Sequence, residues 1–313
     1  MPTHVNVDNF ARAETDRMFH DLQQSAGGIG QFLHHREPAA IDKQTVIRLN
    51  RDTLYSFAVL DARAGGTLTL PEAGDRYLSA MVVNEDHFVD AIFHEPGEYE
   101  ITAERFGTPY VVIAVRIRVD PADPADIAAV AALQDQVSLS SAASATPFEY
   151  PDYDTASFDE TRDALLALAR NLTGFDRMFG AKDEVDPVRH LVGTAAGWGG
   201  LPGSEAAYIG IDPRLPVGNY ELTVTDVPVD GFWSVSVYNA KGYFEPNERG
   251  AYTVNNITGV RNPDGSTTVR FGDYPPEVPN TIPITPGWNY LVRLYRPRAE
   301  ITDGIWTFPG LAR

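Results

Sequence analysis

The 313-residue chain contains no cysteine. That absence removes disulfides, thiolate nucleophiles and cysteine-ligated zinc or iron-sulfur sites together, and it leaves the redox compartment open. Positive charge is also scarce: 25 Lys and Arg stand against 43 Asp and Glu, a formal net charge of -18. A surface that tracks phosphates needs clustered Lys and Arg, so no nucleic-acid partner is expected. Only Arg293, Arg296 and Arg298 form a short basic set. No run of 18 apolar residues occurs, and Met1-Pro2-Thr3-His4-Val5-Asn6 carries no apolar h-region. Neither a membrane span nor a signal peptide is expected, which makes the cytoplasm the expected location. Familiar catalytic motifs are missing too: there is no Gly-x-Ser-x-Gly elbow, Walker loop, Gly-x-Gly-x-x-Gly fingerprint or His-Glu-x-x-His pair.

What the chain does contain is enough apolar sequence for a large core, 43% hydrophobic with 22% charged, which fits one large or two medium domains. Asp8 is placed to cap an amphipathic helix running to about Gln24, with Phe10, Met18, Phe19 and Leu22 as its stripe and Gly27-Gly28 as its stop. From Thr45 to Val119, short apolar segments alternate with turn signals at Gly65-Gly66, Pro71 to Asp75, Pro96-Gly97 and Gly107-Thr108-Pro109, a spacing of antiparallel strands. Pro121 to Gln136 is Ala-rich and helical in period. Ser157-Phe158-Asp159-Glu160 reads as a capping box ahead of Leu165, Leu166, Leu168, Leu172 and Phe175, and a further helix is expected at Asp186-Pro187. Ser138 to Asp154 reads as a linker or lid. Strands resume at Tyr220 to Thr225, Phe232 to Tyr238, Thr267 to Phe271 and Tyr290 to Tyr295, with Asp264-Gly265 as a hairpin signal. The expected division is 1–137, a helix plus β-domain; 138–202, a linker and helical segment; and 203–313, a second β-domain.

Within the first strand region, Val46-Ile47-Arg48-Leu49-Asn50-Arg51-Asp52-Thr53-Leu54-Tyr55-Ser56 packs polar groups into sequence that otherwise alternates like a strand. The plain reading is a solvated loop tied down by an Arg/Asp pair; the sharper one is the floor of a ligand pocket. Asn50 to Ser56, with Asp61 and Gly74-Asp75-Arg76-Tyr77, resembles the bacterial domain-of-unknown-function family 1254. Gly231-Phe232-Trp233-Ser234-Val235-Ser236-Val237-Tyr238-Asn239, with Gly287-Trp288-Asn289-Tyr290 and Leu294-Tyr295, resembles its usual companion, family 1214. Pattern and resemblance together give a β-rich α+β fold: two antiparallel β-sandwich, jelly-roll-like domains with a helical segment between them. The resemblance carries no catalytic residues with it.

Histidines are the first chemical candidates. His34-His35 precede Arg36-Glu37-Pro38, and Asp86-His87 follow a strand, with His94 further on. Imidazoles beside carboxylates suit acid/base work, or a metal when three converge; adjacent His34 and His35 point to opposite faces of an extended chain. The bland alternative is a set of structural histidines. Arg48, Asn50, Arg51, Tyr55, Arg293 and Tyr295 form a second constellation, in which arginine forks hold an anionic or carbonyl oxygen and tyrosines donate without added charge. The plain alternative pairs Arg51 with Asp52 or Asp61. Alternation puts Arg293 and Tyr295 on one face of their strand. It also puts Phe232, Ser234 and Ser236 opposite Trp233, Val235 and Val237, so Trp233 is expected in the core.

The leading expectation is a small-molecule enzyme of hydrolase or lyase type acting in a polar pocket between the domains. His87 or His35 would be the acid/base and Asp86 or Asp52 the orienting carboxylate, with the arginine and tyrosine set binding substrate. One alternative is a non-catalytic ligand-binding or assembly module in which the polar motif is a structural knot. The other is a metal-dependent hydrolase or oxygenase. No cofactor is strongly implied, a divalent metal being the open option. The expected partner is a small-molecule ligand, with no nucleic acid and no membrane, and a homo-oligomer is left open.

Overall fold

The computed structural model describes residues 1–44, 47–170, 172 and 174–311. Thr45, where the expected strand region begins, and Val46, the first residue of the polar motif, lie outside the described residues. The chain forms two compact units, one of residues 1–36, 54–118 and 125–203, the other of residues 37–53, 119–124 and 204–313. The segment expected to stand apart at 138–202 thus belongs to the first unit.

In the first unit, apart from the opening residues of β2 and α3, the order is α1 (Phe10–Ala26), β1 (Leu33–His34), β2 (Thr53–Asp61), β3 (Gly66–Leu70), β4 (Leu78–Asn84), β5 (Val89–Phe93), β6 (Gly97–Ile101), α2 (Ala103–Phe106), β7 (Tyr110–Arg118), α3 (Pro124–Gln134), β8 (Ser138–Ser141), α4 (Thr155–Ala169) and α5 (Pro187–Gly197). A five-stranded sheet has the order β1-β2-β7-β4-β5, with β1/β2, β4/β7 and β4/β5 antiparallel. Every residue of Leu78-Ser-Ala-Met-Val-Val-Asn84 is buried, as a central strand covered on both faces requires. A smaller antiparallel sheet runs β6-β3-β8.

The helices refine the reading of caps. α1 ends where Gly27 takes φ 85° and returns its N–H to Gln23 and Gln24. Its start is at Phe10 behind Asn9, not at Asp8, whose own N–H is held by the Asn6 side chain. Its buried face carries Phe10, Ala13, Glu14, Thr15, Asp16, Phe19 and Gln23, so Met18 and Leu22 are not part of it. α4 is capped by Asp154, whose carboxylate accepts the Ser157 N–H at 3.0 Å; Ser157 lies inside the helix rather than capping it. Leu168 is exposed, and Leu172 and Phe175 lie beyond the helix end. α5 begins as expected, with Pro187 in its first turn and Asp186 accepting from Val188 and Arg189. Ser138 to Asp154 is not a free linker. Ser138–Ser141 pair with β3, and Gln23 exchanges two hydrogen bonds with the Phe148 backbone. Backbone donors and acceptors left open on β3 give this low-propensity Ser-rich stretch its strand conformation.

The second unit carries β9 (Ala206–Ile211), β10 (Tyr220–Val224), β11 (Trp233–Tyr238), β12 (Thr253–Asn255), β13 (Thr267–Phe271), β14 (Thr281–Ile282), β15 (Asn289–Tyr295) and α6 (Ala299–Thr302). One antiparallel sheet has the order β12-β11-β15-β9, the other β10-β13-β14 with β13/β14 parallel. Asp264-Gly265 forms a tight turn closed by Asn262 N–H to the Ser266 carbonyl at 2.7 Å, but the strand before it, β12, ends at Asn255 and belongs to a different sheet from β13. Register fixes the faces of the four-stranded sheet. Trp233, Val235, Val237, Val254, Tyr290, Val292 and Leu294 join an apolar core with Phe271, Trp288 and Leu222. The opposite face is polar, because Ser234 pairs with Arg293 and Asn255, and Ser236 with Leu291 and Thr253. The chain is therefore a β-rich α+β protein with several antiparallel sheets. No described helix is long and apolar enough to cross a membrane.

Candidate functional site

The polar face of the four-stranded sheet is where the 48–53 segment of the same unit lies. That segment is a loop, not the strand its alternation suggests, and β2 begins only at Thr53. Two local features break the extended chain. Arg48 adopts φ 54°, a left-handed conformation uncommon for a side chain with a Cβ, and gives its N–H to the Gly242 carbonyl at 2.8 Å. Asn50 then accepts the Asp52 N–H on its side-chain oxygen at 2.9 Å, an Asx turn.

These turns direct backbone carbonyls at Arg293. Its Nη2 donates to the Arg48 and Leu49 carbonyls at 2.8 and 3.2 Å and to the Tyr238 hydroxyl at 2.8 Å, and its Nη1 donates to Ser236 Oγ at 2.9 Å. Tyr238 passes its own proton to the Leu49 carbonyl at 2.8 Å. Asp52 is fully buried and accepts from Thr253 Oγ1 at 3.1 Å and Asn255 Nδ2 at 3.4 Å. Ser236 donates to Thr253 at 3.3 Å, so hydroxyls connect the guanidinium to the carboxylate without direct contact. Asn50 donates to Thr53 Oγ1 and Tyr295 Oη at 3.0 and 2.9 Å. Burial acts against the Arg293 charge, yet Tyr238, Tyr295 and Asp52 outweigh it and hold its pKa above the usual arginine value. Asp52 Oδ2 and Ser234 Oγ are buried without a partner among the described residues.

Arg51 is situated differently. It is half-buried, gives Nη1 to the Ala39 carbonyl, and lies 5.5 Å over the Tyr252 ring. Its Nε is buried with no acceptor, and no carboxylate oxygen lies within 4 Å of the guanidinium among the described residues. Burial pulls its pKa below the ordinary value, only partly offset by Tyr252 and Asp52. The expected pairing with Asp52 or Asp61 does not form: Asp61 binds Arg63 at 2.9 Å. Arg48 rests 5.9 Å over Tyr238 with its Nη1 buried and, among the described residues, unpartnered. Thus Asn50, Asp52, Arg293 and Tyr295 share one network, joined by the backbone of Arg48, and Arg51 lies at its side.

The remaining candidates fall in the first unit. Tyr55 stacks on Phe57 at 5.9 Å with the Arg116 guanidinium 5.4 Å over its ring, and exposed His35 meets the edge of Phe57 at 5.9 Å. Asp86 takes Arg12 at 2.6 Å. His87 is fully buried at φ 64°, its ring 5.5 Å from Trp198 and 5.4 Å from His190. Gly199 N–H donates to its Nε2 at 2.9 Å, which leaves Nδ1 to donate to Thr194 Oγ1 at 2.8 Å; Thr194 in turn donates to the His190 carbonyl. Both ring nitrogens are used, and burial followed by His190 lowers the pKa well below the usual imidazole value. Sequence reading also passed over a cross-strand pair, His34 Nδ1 with buried Ser56 Oγ at 2.8 Å, where Gln134 donates to the same hydroxyl at 3.1 Å. Among the described residues, no group of three His, Asp or Glu is arranged to hold a metal.

Comparison with known proteins agrees with the motifs. Residues 29–141 match the model of DUF1254 and residues 215–299 that of DUF1214, each described as a protein of unknown function. A search of curated proteins finds no significant match. A Vibrio parahaemolyticus crystal structure is similar with a TM-score of 0.71 at 17% identity, covering 98% of this chain and 99% of that one. An uncharacterized Burkholderia cenocepacia protein is similar with a TM-score of 0.52 at 13% identity, covering 96% and 86%. Identities this low speak to the fold alone.

Proposed function

We propose that this chain, in which a DUF1254 region is followed by a DUF1214 region, is a module that binds a small anionic molecule at the 48–53 loop. The observation that carries the reading is Arg51: a half-buried cation that, among the described residues, has no carboxylate partner and no hydrogen bond on Nη2. A buried charge left uncompensated is costly, and an anion supplied from outside removes that cost. The rest of the motif supports a binding role over a catalytic one. Arg293 is engaged by carbonyls and hydroxyls, and its network acts as a knot that shapes the loop. His87 has neither exposure nor an unoccupied nitrogen with which to exchange a proton.

A hydrolase or lyase acting on the same anionic substrate is the second reading. Asp52 Oδ2, unpartnered one residue from Arg51, favours it as an acid/base oxygen, although the carboxylate is fully buried. Calorimetric titration of acetate and phosphate into wild type and Arg51→Met separates binding from none. Saturable binding that disappears in the variant supports the module, and equal behaviour of both proteins refutes it. Turnover of an ester or amide of the bound anion, lost in Asp52→Asn while binding persists, would move the assignment to the enzyme.

A further inference from the structure

We propose that Asp16 and Tyr153 form a pH-sensitive latch: ionisation of Asp16 releases the strap 149–153 from α1. The strap lies within Ser138 to Asp154, the stretch whose composition reads as a linker or lid. Before it, Phe148 exchanges hydrogen bonds with the Gln23 side chain at 2.8 and 3.1 Å, which fixes that end on α1. At the far end, Thr3 donates to the Asp152 carbonyl at 2.6 Å and accepts the Asp154 N–H at 2.9 Å. Glu149, Tyr150, Pro151 and Asp152 are exposed between these points. Among the described residues, no hydrogen bond ties the backbone of 149–151 to another element. The side-chain tie is the Tyr153 hydroxyl, which donates to Asp16 Oδ2 at 2.7 Å.

Asp16 is a costly place for a charge. Its Oδ1 is buried without a partner among the described residues. The groups that face it are Arg12 on α1, Tyr150 and Tyr153 on either side of the strap's turn, and Glu85 and Asp86 after β4. Arg12 is engaged by Glu85 at 3.5 Å and by Asp86 at 2.6 Å. Glu14, the neighbouring buried acid of α1, has its own cations in Arg17 at 2.8 Å and Arg162 at 3.8 Å. An ionised Asp16 therefore shares Arg12 with two other carboxylates, and burial raises its pKa to about 6. Meeting water relieves that cost. Phe10, Ala13 and Phe19 are fully buried on the same helix and hold α1 in place, whereas the strap is a single exposed layer that can lift. A neutral Asp16 carries no such cost, so the strap stays down in acid and opens more often as pH rises through the folded value.

The experiment is native-state hydrogen exchange of the Asp154 and Thr3 amides, corrected for intrinsic rates, with the amides of β4 reporting global unfolding. In wild type, protection of Asp154 and Thr3 is expected to fall about tenfold or more between pH 4.5 and pH 7.5, through openings insensitive to low urea. Asp16→Asn is expected to abolish that fall. Tyr153→Phe keeps the carboxylate and removes the tie, so it should lower protection at both pH values and retain the fall. Wild-type protection that is constant with pH, or a fall of equal size in Asp16→Asn, overturns the latch. Exchange of Asp154 and Thr3 with the urea dependence of the β4 amides overturns strap release and leaves Asp16 with a global effect alone.

Discussion

Replacing Asp16 by Asn should stabilise the protein at neutral pH and leave it unchanged in acid. Asp16 is 3% exposed on the buried face of α1. Its Oδ2 accepts the Tyr153 hydroxyl at 2.7 Å, and Oδ1 has no partner among the described residues. Burial raises its pKa from 3.8 to about 6; Tyr153 and Arg12 oppose the rise, and Glu85 and Asp86 add to it. The direction of the linkage follows. Below pH 3.8 the carboxyl is protonated whether the chain is folded or not, so folding is unaffected. As pH rises through the folded value near 6, the unfolded chain ionises more readily, and stability is lost. A shift of about two units corresponds to roughly 3 kcal/mol at pH 7. Asn is neutral at every pH and keeps an oxygen for Tyr153, so the variant should gain about that amount above pH 6 and almost nothing near pH 4. Urea unfolding of both proteins from pH 4 to pH 8 measures the difference. A variant no more stable than wild type at pH 7.5, or one whose gain is the same at every pH, refutes the argument.

Other consequences can be measured in the same way. Arg293→Met should lower unfolding free energy by about 3–5 kcal/mol, because two backbone carbonyls and the Ser236 and Tyr238 hydroxyls lose a buried cationic donor and Asp52 loses a nearby positive charge. A loss below about 1 kcal/mol by urea denaturation would show that the knot does not hold the loop. His87→Ala should cost about 3 kcal/mol through a cavity and two broken hydrogen bonds, with acetate affinity preserved. Loss of binding in a folded His87→Ala protein would return that histidine to the site.

Much of the strand pattern was legible because period two is a local property. The faces of β11 and β15 follow from alternation alone, which is why Trp233 is in the core and Arg293 and Tyr295 share the polar side. The start of α5 was equally legible, since Asp186-Pro187 contains both its cap and its first turn. That the 48–53 segment is a loop was one of its two readings, but the turns that shape it were not legible, because they depend on the left-handed φ of Arg48 and on a side-chain bond within Asn50–Asp52, neither of which breaks the hydrophobic alternation. Nor could the sequence place Arg51 over Tyr252 or put Arg293 on the Arg48 carbonyl, because those partners come from strands and loops some 200 residues away. His87 next to Asp86 looked like an oriented base. In the fold the turn at φ 64° sends the imidazole into the core while Asp86 faces Arg12.

The most direct test of the central claim is a crystal structure of the protein grown in acetate, compared with one grown without a carboxylate. The account predicts acetate density with an oxygen within hydrogen-bond distance of the Arg51 guanidinium. Ordered water alone at that guanidinium in both crystals, or a protein carboxylate swung onto Arg51, would contradict it.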